Sequence, residues 1–283
     1  MNPLVRAAWL ALSAPLAYAL VEPHRLQVRR FDVEFEKLPL QADGLRLAHF
    51  SDLHCSAITS ARVVRRVVEA CNALRPDAVL LTGDYVSRRD SYSSLTLASS
   101  WAPPVMEYGA AVARELAALR APEGVFAVPG NHDYSQGRFD AVAGLLREAG
   151  ITTLVNRSVR LRDVLPLVGL DDVRAGRPHV RAACEGIAPH EAHVVLSHNP
   201  RALTMLAGRN CLLLSGHTHG GQVHLPGTRF RSRPSDMRHS PLFQGWYRAG
   251  ATRLYVTPGV GSVHLPLRFR CPPEIALFTL RAR

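Results

Sequence analysis

The chain has 283 residues, a length that builds one large domain or two small ones around a sizeable core. Its 47% hydrophobic and 20% charged residues exclude a disordered or fibrous chain, and five cysteines, an odd number with no C-x-x-C pair, exclude a disulfide framework and a zinc ribbon. The net charge of +11 is carried almost wholly by arginine, since Lys37 is the only lysine; it suits anionic partners, but no nucleic-acid-binding signature accompanies it, so no nucleic acid is expected as partner.

The chain opens on an apolar segment. Ala7 to Val21 contains no charge, and Arg6 and Glu22-Pro23-His24-Arg25 flank it. Fifteen residues is short for a bilayer span and suits a signal-peptide core, and Ala17-Tyr18-Ala19 has the form of an A-x-A cleavage site. Positive charge is heavier after the segment (Arg25, Arg29, Arg30) than before it (Arg6), a bias that keeps the following chain on the cytoplasmic side. Three readings stand in this order: uncleaved anchor, cleaved signal, ordinary buried helix. Residues 1–25 are therefore set apart as an anchor or signal-like segment, and 26–283 as the folded domain. Association with the cytoplasmic face of a membrane is expected, with export to the periplasm as the alternative.

Beyond it, Phe31, Val33 and Phe35 alternate with acids, the pattern of a half-exposed strand. Five apolar runs then end in polar clusters. Leu45 to Phe50 leads to Ser51-Asp52-Leu53-His54. Ala78 to Leu81 leads to Thr82-Gly83-Asp84. Val125 to Val128 leads to Pro129-Gly130-Asn131-His132-Asp133. Val194 to Leu196 leads to Ser197-His198-Asn199-Pro200, and Leu212 to Leu214 to Ser215-Gly216-His217-Thr218-His219. Helical stripes lie between them over Thr59–Leu74, with Thr59 or Ser60 as cap, and over Val105–Leu119 and Phe139–Ala149. A short helix is expected from Pro200 to near Gly208. Tyr85–Pro104 is a long loop with the character of a lid, and Pro226–Arg238 a basic, proline-broken one. Strands resume at Arg253–Val256 and Ile275–Leu280. Strands alternating with helices predict an α/β sandwich, whose ligands collect at the carboxyl ends of the strands.

Those ends carry Asp52, His54, Asp84, Asn131, His132, Asp133, His198, His217 and His219. Imidazoles, carboxylates and an amide without thiolates suit Mn, Fe or Zn and not a structural zinc site. In an extended segment residues i and i+2 point the same way, so Asp52/His54 and His217/His219 each present two ligands to one side. So many ligands oversupply a single ion. Two ions about 3.5–4 Å apart clamp an in-line displacement at phosphorus. Asp84, the lone acid of its cluster and preceded by Gly83, is the candidate bridge.

The order D-x-H, G-D, G-N-H-D, S-H-N-P, G-H-T-H-G-G-Q, from Ser51 to Gln222, resembles the calcineurin-like metallophosphoesterase superfamily. The stretches Leu254–Gly261 and Leu267–Ile275 resemble its bacterial YaeI/YkuE-type phosphodiesterase branch, whose members tend to have a membrane-associated or signal-like N-terminus. The resemblance implies a four-layer α-β-β-α sandwich. It implies Asp52, His54, Asp84 and His219 on one metal, and Asp84, Asn131, His198 and His217 on the other. It implies a metal-bridging hydroxide as nucleophile, with His132 contacting phosphate or protonating the leaving oxygen and Asp133 orienting that imidazole. Gly220 and Gly221 turn the chain sharply and leave room for substrate. Two positions depart from the family pattern: Ser87 stands where many members have an acid, and Cys55-Ser56-Ala57 where many have glycine. Both are expected on the substrate side. The expected activity is a two-metal phosphodiesterase or phosphohydrolase acting on a membrane-associated or lipid-linked phosphoester. UDP-2,3-diacylglucosamine pyrophosphate hydrolysis and phosphomonoester or phosphoprotein hydrolysis stay as alternatives.

Overall fold

The computed structural model describes residues 13–87, 105–134, 139–225 and 234–283. Among the described residues, twelve strands form two sheets. The first contains β1 (Gln27–Phe35), β2 (Arg46–Phe50), β3 (Ala78–Thr82), β4 (Gly124–Val128), β5 (Thr152–Thr153) and β12 (Glu274–Ala282). Their order is β1-β12-β2-β3-β4-β5. The second contains β6 (Arg157–Leu161), β7 (Leu165–Gly169), β8 (His193–Leu196), β9 (Cys211–Ser215), β10 (Gly245–Ala249) and β11 (Thr252–Val256), ordered β10-β11-β9-β8-β7-β6. The inner strands run parallel, β2-β3-β4 in one sheet and β7-β8-β9-β11 in the other.

The apolar runs are continuous because both faces of each inner strand are covered. In β3, Ala78 and Leu80 face the other sheet, where they join Val194 and Leu196 of β8 and Leu212 and Leu214 of β9. Val79 and Leu81 face the opposite way, onto Val64, Val68 and Cys71 of helix Ala61–Ala73, Val112 and Leu116 of helix Val105–Leu116, and Leu146 of helix Phe139–Glu148. The second sheet is covered in the same manner: Cys211 and Leu213 pack on Ala183 of helix Val180–Ala183 and on Ala202, Leu203 and Leu206 of helix Ala202–Leu206. Each fully buried leucine here contributes about 2 kcal/mol of transfer free energy. The layers are thus α-β-β-α, as expected from the sequence.

Several elements differ from expectation, among them the short strand β5 and the helix Val180–Ala183, which the sequence pattern does not predict. The hairpin β6–β7 and the edge strand β10 are not among the strands that the sequence pattern predicts. Pro166 interrupts β7, and β6 and β10 mix Arg, Ser and Gly with apolar residues, so none gives a clean run. Ser60 is the N-cap of Ala61–Ala73 but its side chain makes no capping bond, while the Thr59 hydroxyl accepts from the Ser262 amide at 3.2 Å. Of the expected lid Tyr85–Pro104, Tyr85, Val86 and Ser87 are buried against the sheet, and 88–104 lie outside the described residues. Of Pro226–Arg238, residues 226–233 lie outside them too, and Ser235–Met237 is a 3-10 turn.

Candidate metal centre

The expected ligands do converge, by a route other than extended i, i+2 pairs. Asp52, His54, Asp84, His217 and His219 all have positive φ, between 46° and 71°. Each strand end turns sharply through the left-handed region, which costs about 1–2 kcal/mol per residue for a side chain with a Cβ. Five such residues in one place mark a site that the surrounding fold holds in shape. Glycines let the turns approach. Gly83 has φ +83°, and a Cβ there would lie 2.4 Å from the Gly130 nitrogen. The Gly83-Asp84 and Gly130-Asn131 loops therefore touch backbone to backbone.

Three groups of ligand atoms within 4.8 Å of one another result: Asp52, His54 and His219; Asp84, His198 and His217; and, between these two triads, His54, Asp84 and His132. Asp84 joins them: its Oδ2 is 3.4 Å from His54 Nε2 and 3.2 Å from His198 Nε2. Its Oδ1 accepts from the His132 amide at 2.8 Å. All but His219 and Asn131 among these ligands are less than 5% exposed, and those two are at 8%.

The outer nitrogen of each of three imidazoles has a partner that leaves the inner one as a ligand. His198 Nδ1 donates to the Thr82 carbonyl at 2.7 Å, so its Nε2 lone pair faces Asp84. His54 Nδ1 meets the Ser87 hydroxyl at 3.1 Å. His217 Nε2 meets both oxygens of Asp236, at 3.1 and 3.2 Å, and turns Nδ1 inward. Asp236 also accepts from Asn199 Nδ2 at 2.9 Å and pairs with Arg174 at 3.2 Å.

The donor set fits divalent metal ions on three observations. Imidazole nitrogens face each other in pairs, His54 Nε2 to His219 Nε2 at 3.0 Å and His217 Nδ1 to His198 Nε2 at 3.2 Å, an arrangement suited to a shared cation. The Asn131 Oδ1 is buried with no hydrogen-bond partner and is an oxygen donor of the right kind. Electrostatically, the carboxylates and imidazoles of the site favour each other's charged forms. Burial opposes the charge of Asp84, yet His198 and His132 beside it hold it well below the usual carboxylate range. Burial likewise opposes a charge on His54, but hydrogen bonds and charge from Asp52 and Asp84 raise it to about 9. His198 is raised for the same reason, chiefly by Asp84 against burial.

His132 lies beside this centre, its ring 4.8 Å from the His54 ring in an edge-on contact. Burial holds it down to about 3, against the pull of Asp84 and with help from His54 and His198. Burial thus favours its neutral imidazole form. The family resemblance assigns Asp133 to orienting that ring. Asp133 accepts main-chain hydrogen bonds: Oδ2 from the amides of Asp84 and Gly130, both at 2.8 Å, and Oδ1 from the Tyr85 amide at 2.9 Å. Its carboxylate clamps the two metal-site loops together.

Other expectations are revised. Ser87, Cys55 and Ser56 are buried, Ser87 on the back of His54 and Cys55 in the core under the helices, and of the stretch expected on the substrate side only Ala57 is exposed. Gly220 turns the chain as expected, but the space its missing side chain leaves is taken by Cys271 Sγ, 2.7 Å from a Cβ placed there, and not by substrate. Sequence reasoning missed Asp236, Asp171 and Asp172. The last two follow β7 as Leu170-Asp171-Asp172, the same apolar-run-then-acid pattern as the other strands. Asp171 accepts from the Tyr134 hydroxyl, and Asp172 Oδ2 is buried without a partner.

The fold and site define a phosphoester hydrolase built around a metal centre. Residues 45–221 match the family model described as calcineurin-like phosphoesterase, and the chain belongs to that family. It is 29% identical over 268 residues to the uncharacterized metallophosphoesterase YkuE of Bacillus subtilis, covering 93% of this chain and 88% of that one. It is 26% identical over 311 residues to the UDP-2,3-diacylglucosamine pyrophosphatase LpxG of Chlamydia muridarum, covering 91% and 90%. It is 30% identical to a transmembrane protein with metallophosphoesterase domain of Danio rerio, covering 96% of this chain and 62% of that protein.

Proposed function

We propose that the protein is a two-metal phosphodiesterase or phosphohydrolase acting on a membrane-associated or lipid-linked phosphoester. The observation that carries the two-metal reading is the position of Asp84 between the two triads, 3.2 Å from His198 of its own and 3.4 Å from His54 of the other. Asp52, His54, Asp84 and His219 hold one ion, and Asp84, Asn131, His198 and His217 the other. When bound, two divalent ions of Mn, Fe or Zn supply Lewis-acid charge and an activated water for in-line displacement at phosphorus. Asp84, close to both triads, would offset charge from both ions when they are bound. His132, neutral and at the rim of the centre, donates a hydrogen bond to a phosphoryl oxygen. Asp133 fixes the distance between the Asp84 and Asn131 loops. Asp236 and Thr82 set the tautomers of His217 and His198.

The membrane part of the reading rests on the N-terminal segment. Residues 13–21 are helical, and Leu16, Tyr18, Leu20 and Val21 on them are exposed, beside the exposed Arg25 and Arg66. An uncharged apolar surface next to cations suits an acidic lipid interface. No helix among the described residues is long and apolar enough to cross a membrane. The charge bias after the segment favours the cytoplasmic face. The similarity to LpxG supports a lipid-linked pyrophosphate, UDP-2,3-diacylglucosamine, as the specific second reading.

The test uses the full chain in detergent, loaded with Mn²⁺. A chromogenic phosphodiester, a chromogenic monoester and UDP-2,3-diacylglucosamine are assayed side by side. Diester turnover well above monoester turnover is expected. Release of UMP from the lipid at enzyme-like rates selects the second reading. Preference for the monoester refutes both.

A further inference from the structure

Arg268 has no exposed surface. A buried guanidinium is tolerated only where its donors are satisfied. Its two terminal nitrogens donate to three carbonyls, Cys271 at 3.0 Å, Pro258 at 2.9 Å and Gly261 at 2.5 Å, while its buried Nε has no hydrogen-bond partner. Those bonds fix the 258–261 turn, and that turn supports Asp52: the Val260 amide donates to the Ser51 carbonyl at 3.0 Å and the Gly261 amide to the Asp52 carbonyl at 2.7 Å. On the other side Cys271 Sγ donates to the His219 carbonyl at 3.2 Å. The 268–271 stretch thus underlies Asp52 and His219, two ligands of one triad.

What holds 268–271 in place comes from the N-terminal segment. The Arg268 amide donates to the Ala19 carbonyl at 2.9 Å. Glu22, 1% exposed, accepts from the Cys271 amide at 3.2 Å through one oxygen and from the Tyr18 hydroxyl at 2.9 Å through the other. The Tyr18 ring stands edge-on to Phe269, centroids 5.7 Å apart. Ala19 is the one buried residue of helix 13–21, and its carbonyl is the end of the A-x-A sequence. A cut there would remove Tyr18 and break a hydrogen bond that reaches the metal-site scaffold.

We infer that residues 18–22 are retained in the working protein as a positioning element of the Asp52–His54–His219 metal site, acting through Arg268 and Cys271. This rests on the two-ion reading. It makes the N-terminal segment part of the active-site scaffold as well as a membrane contact, and it removes Ala17-Tyr18-Ala19 as a processing site.

The test is a calorimetric Mn²⁺ titration of the metal-free full chain. His219→Ala and Asn131→Ala identify which binding step belongs to which site. Glu22→Ala should weaken the step lost in His219→Ala by about tenfold or more, and change the other less than about twofold. Glu22→Gln, which keeps an oxygen for the Cys271 amide, should restore most of it. If Glu22→Ala does not fold, Tyr18→Phe, which removes a single hydrogen bond, should weaken the same step about twofold to threefold. Wild-type affinity at both steps in these variants, or an equal loss at both, overturns the inference and leaves the two-ion reading standing. A wild-type chain that takes up fewer than two ions overturns the two-ion reading itself and the inference with it. The intact mass of chain extracted from membranes should include residues before Leu20; a mature terminus at Leu20 overturns retention.

Discussion

Metal affinity at this centre should rise steeply with pH, and His54 sets the size of the effect. In the metal-free protein burial opposes a charge on His54, yet Asp52 and Asp84 raise it to about 9. An ion takes the neutral imidazole, so binding below about pH 9 must expel one proton from this residue. Each pH unit then changes affinity about tenfold, or about 1.4 kcal/mol. Between about pH 6.5 and about pH 8.5 the first ion should gain about 100-fold, with the dependence flattening above about pH 9. His198, raised in the same direction, gives the second ion a slope of the same sign. The same linkage works on the metal-free fold. The His54 contribution is fully present below its ordinary value of 6.5 and is lost as pH rises through about 9, about 3 kcal/mol in all. Metal-free chain should therefore melt at lower temperature near pH 9 than near pH 6.5. Calorimetric Mn²⁺ titrations in two buffers of different ionisation enthalpy count the protons directly. Affinity that changes less than about threefold over that pH range, with no proton release, would refute the reasoning.

Three further outcomes are expected. Asp236→Asn weakens the hold on His217 and should lower metal affinity about 10- to 100-fold while the melting temperature of the metal-free chain stays within a few degrees. His132→Asn should lower kcat about 10²- to 10³-fold with metal content unchanged by elemental analysis, because His132 is proposed to donate to the phosphoryl group and not to hold the ions. Gly83→Ala would set a Cβ 2.4 Å from the Gly130 nitrogen at positive φ, and should destabilise the fold by about 3 kcal/mol or more in urea unfolding.

The inner strands are legible in the sequence because each is apolar on both faces and stops at a polar cluster. Leu212–Leu214 and Ala78–Leu81 are such runs, and their ends are where the ligand side chains sit. The residue types of the ligands are legible for the same reason. Their geometry is not. The i, i+2 argument assumes an extended chain, and the ligands instead sit in left-handed turns whose conformation is imposed by contacts with other loops. Pro166 hides β7, and with it Asp171 and Asp172. Asp236 has no local signal, since it reaches His217 from a short turn in a proline- and arginine-rich loop by tertiary contact alone. Cys271 and Gly220 lie far apart in the chain and read as unrelated residues; only the fold puts sulfur where a side chain would be.

The central claim is that Asp84 joins two metal sites into one centre. Elemental analysis of the full chain after Mn²⁺ loading and desalting tests it most directly, with Asp84→Ala measured in parallel beside phosphodiester turnover. The account predicts two ions per wild-type chain, and loss of bound metal together with roughly a thousandfold or greater loss of turnover in the variant. A variant that keeps two ions and full turnover would contradict it.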